Sequence, residues 1–293
     1  MRPRSHIPYD PNCAICQRTK SVSQHRRKQN SNNVIELSAD FFFHRSHKYL
    51  VICERFSGMV GCVWMSPSTD QIRRDLRRWL EEMGCLGDDG VLSVFSDDET
   101  AAGSVFTHLK IGKDIRVTKA TPQGQAMNGL AERSVRALKE QFLTISEELR
   151  NEGISICDTG NAIGSVFEYV CFMLNNHALV HGTQKSPLEF LVGKSIPSLI
   201  SSAYGAVILC ELPASLQSED RPGFVEGAYL RPEYSRKACV AVTVIDGKPK
   251  VFNPKSIKLV LPLRWELSWM KGLLQRSDSQ PLIKSDEMCD LIA

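Results

Sequence analysis

Apolar positions along the chain change period repeatedly, and the changes mark its elements. From Val34 three runs, VIELSADFFF (34–43), HKYLVICERF (47–56) and MVGCVWM (59–65), are rich in β-branched and aromatic residues. They are joined closely enough for an antiparallel meander. SPSTDQIRRDLRRWLEEMG then turns helical. Ser66 to Thr69 offer caps, Ile72, Leu76, Trp79, Leu80 and Met83 form one stripe, and Gly84 ends it. VLSVFS (91–96) predicts a short apolar strand, a helix fits near 99–110, and DIRVTKA (114–120) a fifth strand. In a helix from about 127 to 150, Ala131, Val135, Leu138, Phe142, Ile145 and Leu149 recur at steps of three, four or seven. A second long helical pattern covers roughly 160–180. Three strands, helix, strand, helix, strand, helix is an α/β order, with one mixed five-stranded sheet flanked by helices.

Past Pro197 the pattern shortens. AYGAVILCEL, GFVEGAYLR, KACVAVTVI and PKVFNPKSIKLVLPL are strand-like runs divided by Pro, Gly and charged turns, among them Asp246-Gly247. They predict a small all-β module, in the manner of a barrel, over 203–263. In the tail, 264–293, WELSWMKGLL places Trp265 and Trp269 on a short amphipathic helix, and the last residues read as disordered.

The polar face of the 127–150 helix is the informative one. Asn128, Glu132, Arg136 and Lys139 fall within a sector of roughly 80°, away from the apolar stripe. One reading is an i,i+4 acid–base pair on a solvated surface, worth a few tenths of a kcal/mol. The element order supplies another. Asp40 lies inside the first strand between apolar neighbours, where a carboxylate is costly without a partner. Asp97 and Asp98 stand just past the fourth strand, and ligands in α/β sheets collect at strand ends. If strands one and four are neighbours, carboxylates from three distant parts of the chain converge with Glu132. Mg²⁺ is held by one or two carboxylates with waters and substrate phosphates, which suits so open a cluster. Two such ions about 3.5–4 Å apart serve phosphoryl transfer. The cations beside Glu132 would then grip a polyanionic substrate.

Charge placement agrees. The chain has 293 residues and a net charge of +3, with 42% apolar content, enough for two domains and a sizeable core. In residues 1–33, Arg2, Arg4, Arg18, Lys20, Arg26, Arg27 and Lys28 face Asp10 alone. An arm this basic marks contact with polyanions, the plainer reading being a solvated tail. Within it Cys13-Ala-Ile-Cys16 has the spacing of half a tetrahedral zinc site, with His6 and His25 as candidate ligands and unpaired thiols as the alternative. Met1 opens no signal-peptide pattern, and no run reaches the ~18 apolar residues of a bilayer span. The ten cysteines are scattered, several in apolar runs (Cys53, Cys62, Cys171, Cys210), as reduced intracellular thiols are. A soluble nuclear or cytosolic protein is expected.

The stretch from about Val34 to Pro197 resembles the catalytic core of retroelement integrases, of the copia-like and retroviral kind. The matching pieces are ADFFF…HKYLVICERFSG with Asp40, VFSDDE with Asp97, and TPQGQAMNGLAERSVRALK with Glu132. The Asn128-Gly129-Leu130-Ala131-Glu132-Arg133 block is the most specific, and SPLEFLVGKSIP (186–197) looks like the segment that ends this core. The resemblance implies a ribonuclease H-like fold and an Asp40–Asp97–Glu132 triad binding two Mg²⁺ or Mn²⁺. It implies 3′-end processing of DNA and joining of those ends to target DNA, in a multimer working in the nucleus after cytoplasmic transit. Arg136 and Lys139 take positions that contact donor DNA in the family, with Asn128 beside them and Arg26, Arg27 and Lys28 as further DNA contacts. HIPYDPNCAICQRTK resembles the cysteine half of the family's His-His-Cys-Cys zinc module, and the β module would assist DNA binding or assembly.

The chain also departs from the pattern. Ser-Asp-Asp-Glu-Thr replaces the usual Ser-Asp-Asn-Gly-x-Glu, so Asp98 competes with Asp97 as the second acid. Thirty-four residues separate Asp97 from Glu132, one fewer than usual, and the loop 121–127 looks longer. Glu54, where the family often has another acid, receives no role. Two other readings follow: a catalytically decayed, DNA-binding relic of the same fold, or a ribonuclease H-like nuclease.

Overall fold

The apolar runs VIELSADFFFH and HKYLVICE build the middle of the first sheet, the second of them buried without a break from Tyr49 to Glu54. The computed structural model describes residues 34–85, 91–97, 99–107, 109, 114–119, 125–151, 153, 156, 158–180, 183–192, 204–217, 223–233, 238–245, 248–254 and 256–259. The basic arm 1–33, the turn 246–247 and the tail with Trp265 and Trp269 lie outside them. The described elements fall into two units. In the first, β1 (Val34–His44), β2 (His47–Glu54), β3 (Val60–Trp64), β4 (Val91–Ser96) and β5 (Asp114–Lys119) form one sheet in the order β3-β2-β1-β4-β5. The β1–β2 and β2–β3 pairs are antiparallel, whereas β1–β4 and β4–β5 are parallel. That order and sense make the sheet ribonuclease H-like.

The helices are α1 (Thr69–Glu82), α2 (Glu99–Thr107), α3 (Gln125–Asn151), α4 (Gly160–His177) and the short α5 (Pro187–Val192). Ser68 caps α1, its Oγ accepting from the Gln71 N–H at 3.4 Å, and Gly84 takes a left-handed φ of 68° just past its end. Leu76, Trp79, Leu80 and Met83 of the expected stripe are buried, while Ile72 is half-buried. Along α3, Ala131, Leu138, Phe142, Ile145 and Leu149 are buried and Val135 is half-buried. Helix α3 begins two residues earlier than its periodicity suggests. Helices α2 and α4 each stop three residues short of the expected ends, 110 and 180.

Two closures fix the β3 edge of this sheet. Asn175 of α4, fully buried, donates Nδ2–H to the Val60 carbonyl at 2.8 Å and accepts the Val60 N–H at 2.8 Å. Its side-chain amide thus stands in for a further strand. Glycines admit the two tryptophans. A Cβ on Gly160 would meet Trp64 at 2.1 Å, and one on Gly61 would meet Trp79 at 2.8 Å. Trp79 in turn donates Nε1–H to the Cys62 carbonyl at 3.0 Å. Between α4 and the strands, the rings of Phe42, Tyr49 and Phe167 stack and tilt at centroid distances of 5.0–5.4 Å. Arg78 of α1 reaches Asp75 and, across to α4, Glu168. Burial alone would weaken its hold on the proton, but the carboxylates of Glu168, Asp75 and Glu82 reverse this and raise its pKa.

The second unit carries the expected all-β module as a five-stranded sheet. Its strands are β6 (Val207–Glu211), β7 (Phe224–Glu233), β8 (Ala238–Ile245), β9 (Lys248–Phe252) and β10 (Ile257–Leu259). All pairs are antiparallel, in the order β10-β6-β7-β8-β9. With β10 and β9 at its two ends, the sheet is a row of strands where the sequence suggested a barrel. Among the described residues the cysteines Cys53, Cys62, Cys85, Cys171, Cys210 and Cys239 are all buried and outside any disulfide, as their apolar contexts suggest. Burial pushes the Cys62 and Cys171 thiols well up, and Cys239 up to about 12, which keeps them protonated and unreactive.

Candidate active site

Register brings the first two acids together. Parallel pairing of β1 with β4 runs from Val34↔Val91 to Ala39↔Ser96, so the next residues on the two strands are Asp40 and Asp97. Strand β1 continues past this point, pairing with β2 as Asp40↔Val51, whereas β4 ends at Ser96. Asp40 therefore sits half-buried on a strand that outruns its neighbour, and Asp97 lies exposed at the strand's end.

Glu132 arrives from α3. It stands about two turns in from Gln125 and is exposed, with Arg133 and Arg136 exposed beside it and Lys139 half-buried one turn further on. Burial is the main cause that raises the Asp40 carboxyl above the ordinary aspartate range. A hydrogen bond from the Phe41 backbone lowers it, the negative charges of Asp97 and then Glu132 raise it, and Lys139 opposes them. Asp97, Glu132 and Lys139 thus act electrostatically on Asp40 from positions 57, 92 and 99 residues further along the chain.

Arg136 does not neutralise Glu132: among the described residues no ion pair joins them. The surface-pair reading of this face therefore finds no support. Lys139 places its Nζ 5.4 Å from the centre of the Phe42 ring, which lies two residues beyond Asp40 on β1. Asn128 falls within α3, its side chain outside the described residues. Asp98 and residues 121–124 lie outside them too, as do Cys13, Cys16, His6, His25, Arg26, Arg27 and Lys28.

The donors are carboxylate oxygens only, the chemistry that suits Mg²⁺ or Mn²⁺ and disfavours soft metals. Among the described residues no three His, Cys, Asp or Glu side chains are drawn into a closed metal cluster. Asp40 and Asp97 stand at adjacent positions of paired strands, and the charge of Glu132 on α3 also acts on Asp40.

Glu54, left without a role by the sequence, is structural. Buried at the end of β2, its carboxylate accepts the Phe56 N–H at 2.8 Å, the Ser57 N–H at 2.6 Å and the Ser57 hydroxyl at 2.5 Å. It holds the β2–β3 turn, where Gly58 adopts a φ of 79°. Next to it Arg55 pairs with Glu36 of β1 at 2.5 Å. The signal for this was local: an acid followed three residues later by serine.

No family model matches the chain. No curated protein matches it either. Among solved structures it is similar to a chain of a simian T-cell lymphotropic virus intasome in complex with PP2A regulatory subunit B56 gamma. The identity is 18%, over 85% of this chain and 88% of that one, with a TM-score of 0.41. It is also similar to the catalytic core domain of BIV integrase, at 17% identity over 54% of this chain and 93% of that one, with a TM-score of 0.37. Strand order and register, not these distant likenesses, establish the fold. Among the described residues no helix is long and apolar enough to cross a membrane.

Proposed function

We propose that the chain is an integrase-type polynucleotidyl transferase of the retrotransposon kind, related to copia-like elements, which processes DNA 3′ ends and joins them to target DNA. The observation that carries this reading is the β1–β4 register that sets Asp40 beside Asp97, with the charges of Asp97 and Glu132 both acting on the half-buried Asp40 carboxyl. Asp40 and Asp97 would hold Mg²⁺ or Mn²⁺ from adjacent strands, and Glu132 would complete the donor set from α3. When bound, such a pair of ions activates an attacking oxygen and stabilises the leaving one. This chain's own part is positioning. The sheet fixes two carboxylates in register, α3 presents the third, and Arg136, Lys139 and Asn128 hold DNA phosphates against them. The arm, through Arg26, Arg27 and Lys28, adds sequence-independent affinity for DNA. Cys13, Cys16, His6 and His25 would bind Zn²⁺ there. A multimer joins two ends in the nucleus.

Glu132→Gln keeps the side chain's size and removes its charge. It should abolish Mn²⁺-dependent joining of oligonucleotide ends while leaving DNA affinity nearly unchanged. Joining that survives the substitution would remove Glu132 from the site. A second reading, a DNA-binding relic without catalysis, is favoured by one observation: the described carboxylates form no closed metal cluster. Retained DNA binding with no joining in either Mg²⁺ or Mn²⁺ would select it.

A further inference from the structure

Asp40 and Phe42 are two residues apart on β1, so both project from the same face of the sheet. Phe42 is buried and its ring is fixed by Tyr49, at 5.4 Å, and by Phe167, at 5.4 Å edge-on. Lys139 reaches this face from α3 and sets its ammonium 5.4 Å from the Phe42 ring centre, where the face of an aromatic ring attracts a cation. That anchorage holds a positive charge beside Asp40 without a direct ion pair between them. Arg136, about one turn earlier on α3, is exposed instead.

We propose that Lys139 is a resident counter-ion for Asp40, which a divalent cation displaces, freeing the ammonium for a nucleic-acid phosphate. This deepens the reading given above and rests on Asp40 being a metal-holding carboxylate. Without metal, Asp40 faces the negative charges of Asp97 and Glu132, and Lys139 is the cation that offsets them. A divalent ion at Asp40 supplies that compensation more strongly and repels the ammonium. The lysine is flexible and strongly hydrated, so it can swing from the ring towards solvent. Metal and DNA then favour one another through a single side chain, by the reciprocity that linkage requires.

Titration calorimetry of Mn²⁺ into the full chain without DNA tests this, using wild type, Lys139→Met, Lys139→Arg and Asp40→Asn. Removing a unit charge at this range should tighten Mn²⁺ binding roughly five- to tenfold in Lys139→Met, with Lys139→Arg close to wild type. Fluorescence anisotropy with a DNA duplex of arbitrary sequence should show Mn²⁺ strengthening binding to the wild type, and that gain shrinking in Lys139→Met. Equal or weaker Mn²⁺ binding by a Lys139→Met protein that melts like wild type overturns the inference while leaving the metal site intact. Should Lys139→Met fold poorly, Lys139→Gln is subject to the same comparison. If Mn²⁺ binding by the wild type is absent, or survives unchanged in Asp40→Asn, the metal reading itself falls and the inference with it.

Discussion

The two flanks of the first sheet solve opposite problems. At the β3 edge the fold supplies partners from its own residues. Asn175 satisfies both backbone groups of Val60, Trp79 donates to Cys62, and glycines make room for Trp64 and Trp79. Around the β1–β4 junction the chain instead assembles like charges, with Asp40 half-buried among Asp97 and Glu132 and opposed by Lys139. One flank is finished by the fold. The other is left electrostatically incomplete, as expected where an outside ion or substrate supplies the missing charge.

Substitutions at the closed flank should show the largest effects, all of them on stability. Gly160→Ala puts a methyl group 2.1 Å from the Trp64 ring and should cost roughly 3 kcal/mol or more in chemical denaturation. A cost below about 1 kcal/mol would mean that this edge is loosely packed. Asn175→Ala strands the buried N–H and C=O of Val60 and should cost about 2 kcal/mol, with faster hydrogen exchange along β3.

At the open flank the sign reverses. Because the Asp40 pKa is raised on folding, its contribution to stability is complete below the unfolded-state value and is lost as pH rises through the folded one. In metal-free buffer Asp40→Asn should therefore equal or exceed the wild type in melting temperature at neutral pH, with the advantage vanishing in acid. A variant less stable than wild type at neutral pH would contradict the incomplete-site picture. The smallest effect is expected at Arg136, exposed on α3. Arg136→Ala should leave stability within about 0.5 kcal/mol and reduce the salt slope of DNA binding by up to about one ion. An unchanged slope would return this residue to an ordinary solvated surface.

Much of this was legible in the sequence because it is local. The stripes of α1 and α3, the Ser68 and Gly84 boundaries and the short run of β4 are set by spacing within one element. The meeting of Asp40 and Asp97 was legible only conditionally. It depends on β1 and β4 pairing in parallel, a contact between residues 57 positions apart, such as Val34 and Val91, that no local period encodes. The Asn175 clamp lies beyond that reach, joining residues 115 positions apart. Its one visible trace is Asn175 placed directly after the apolar run YVCFML of α4. Lys139 was visible as a basic residue on the helix face, but not its place over Phe42. The second sheet was readable as strands, whereas its order follows from long-range pairings.

The central claim, that Asp40, Asp97 and Glu132 form a metal-dependent phosphoryl-transfer site, is most directly tested by Mn²⁺-dependent disintegration of a branched DNA substrate. This reaction demands little of the donor-end sequence. Wild type should resolve the branch and Asp40→Asn should not, while both bind the DNA. Equal activity in the two proteins would contradict the claim, as would no activity in either together with no Mn²⁺-dependent rise in melting temperature.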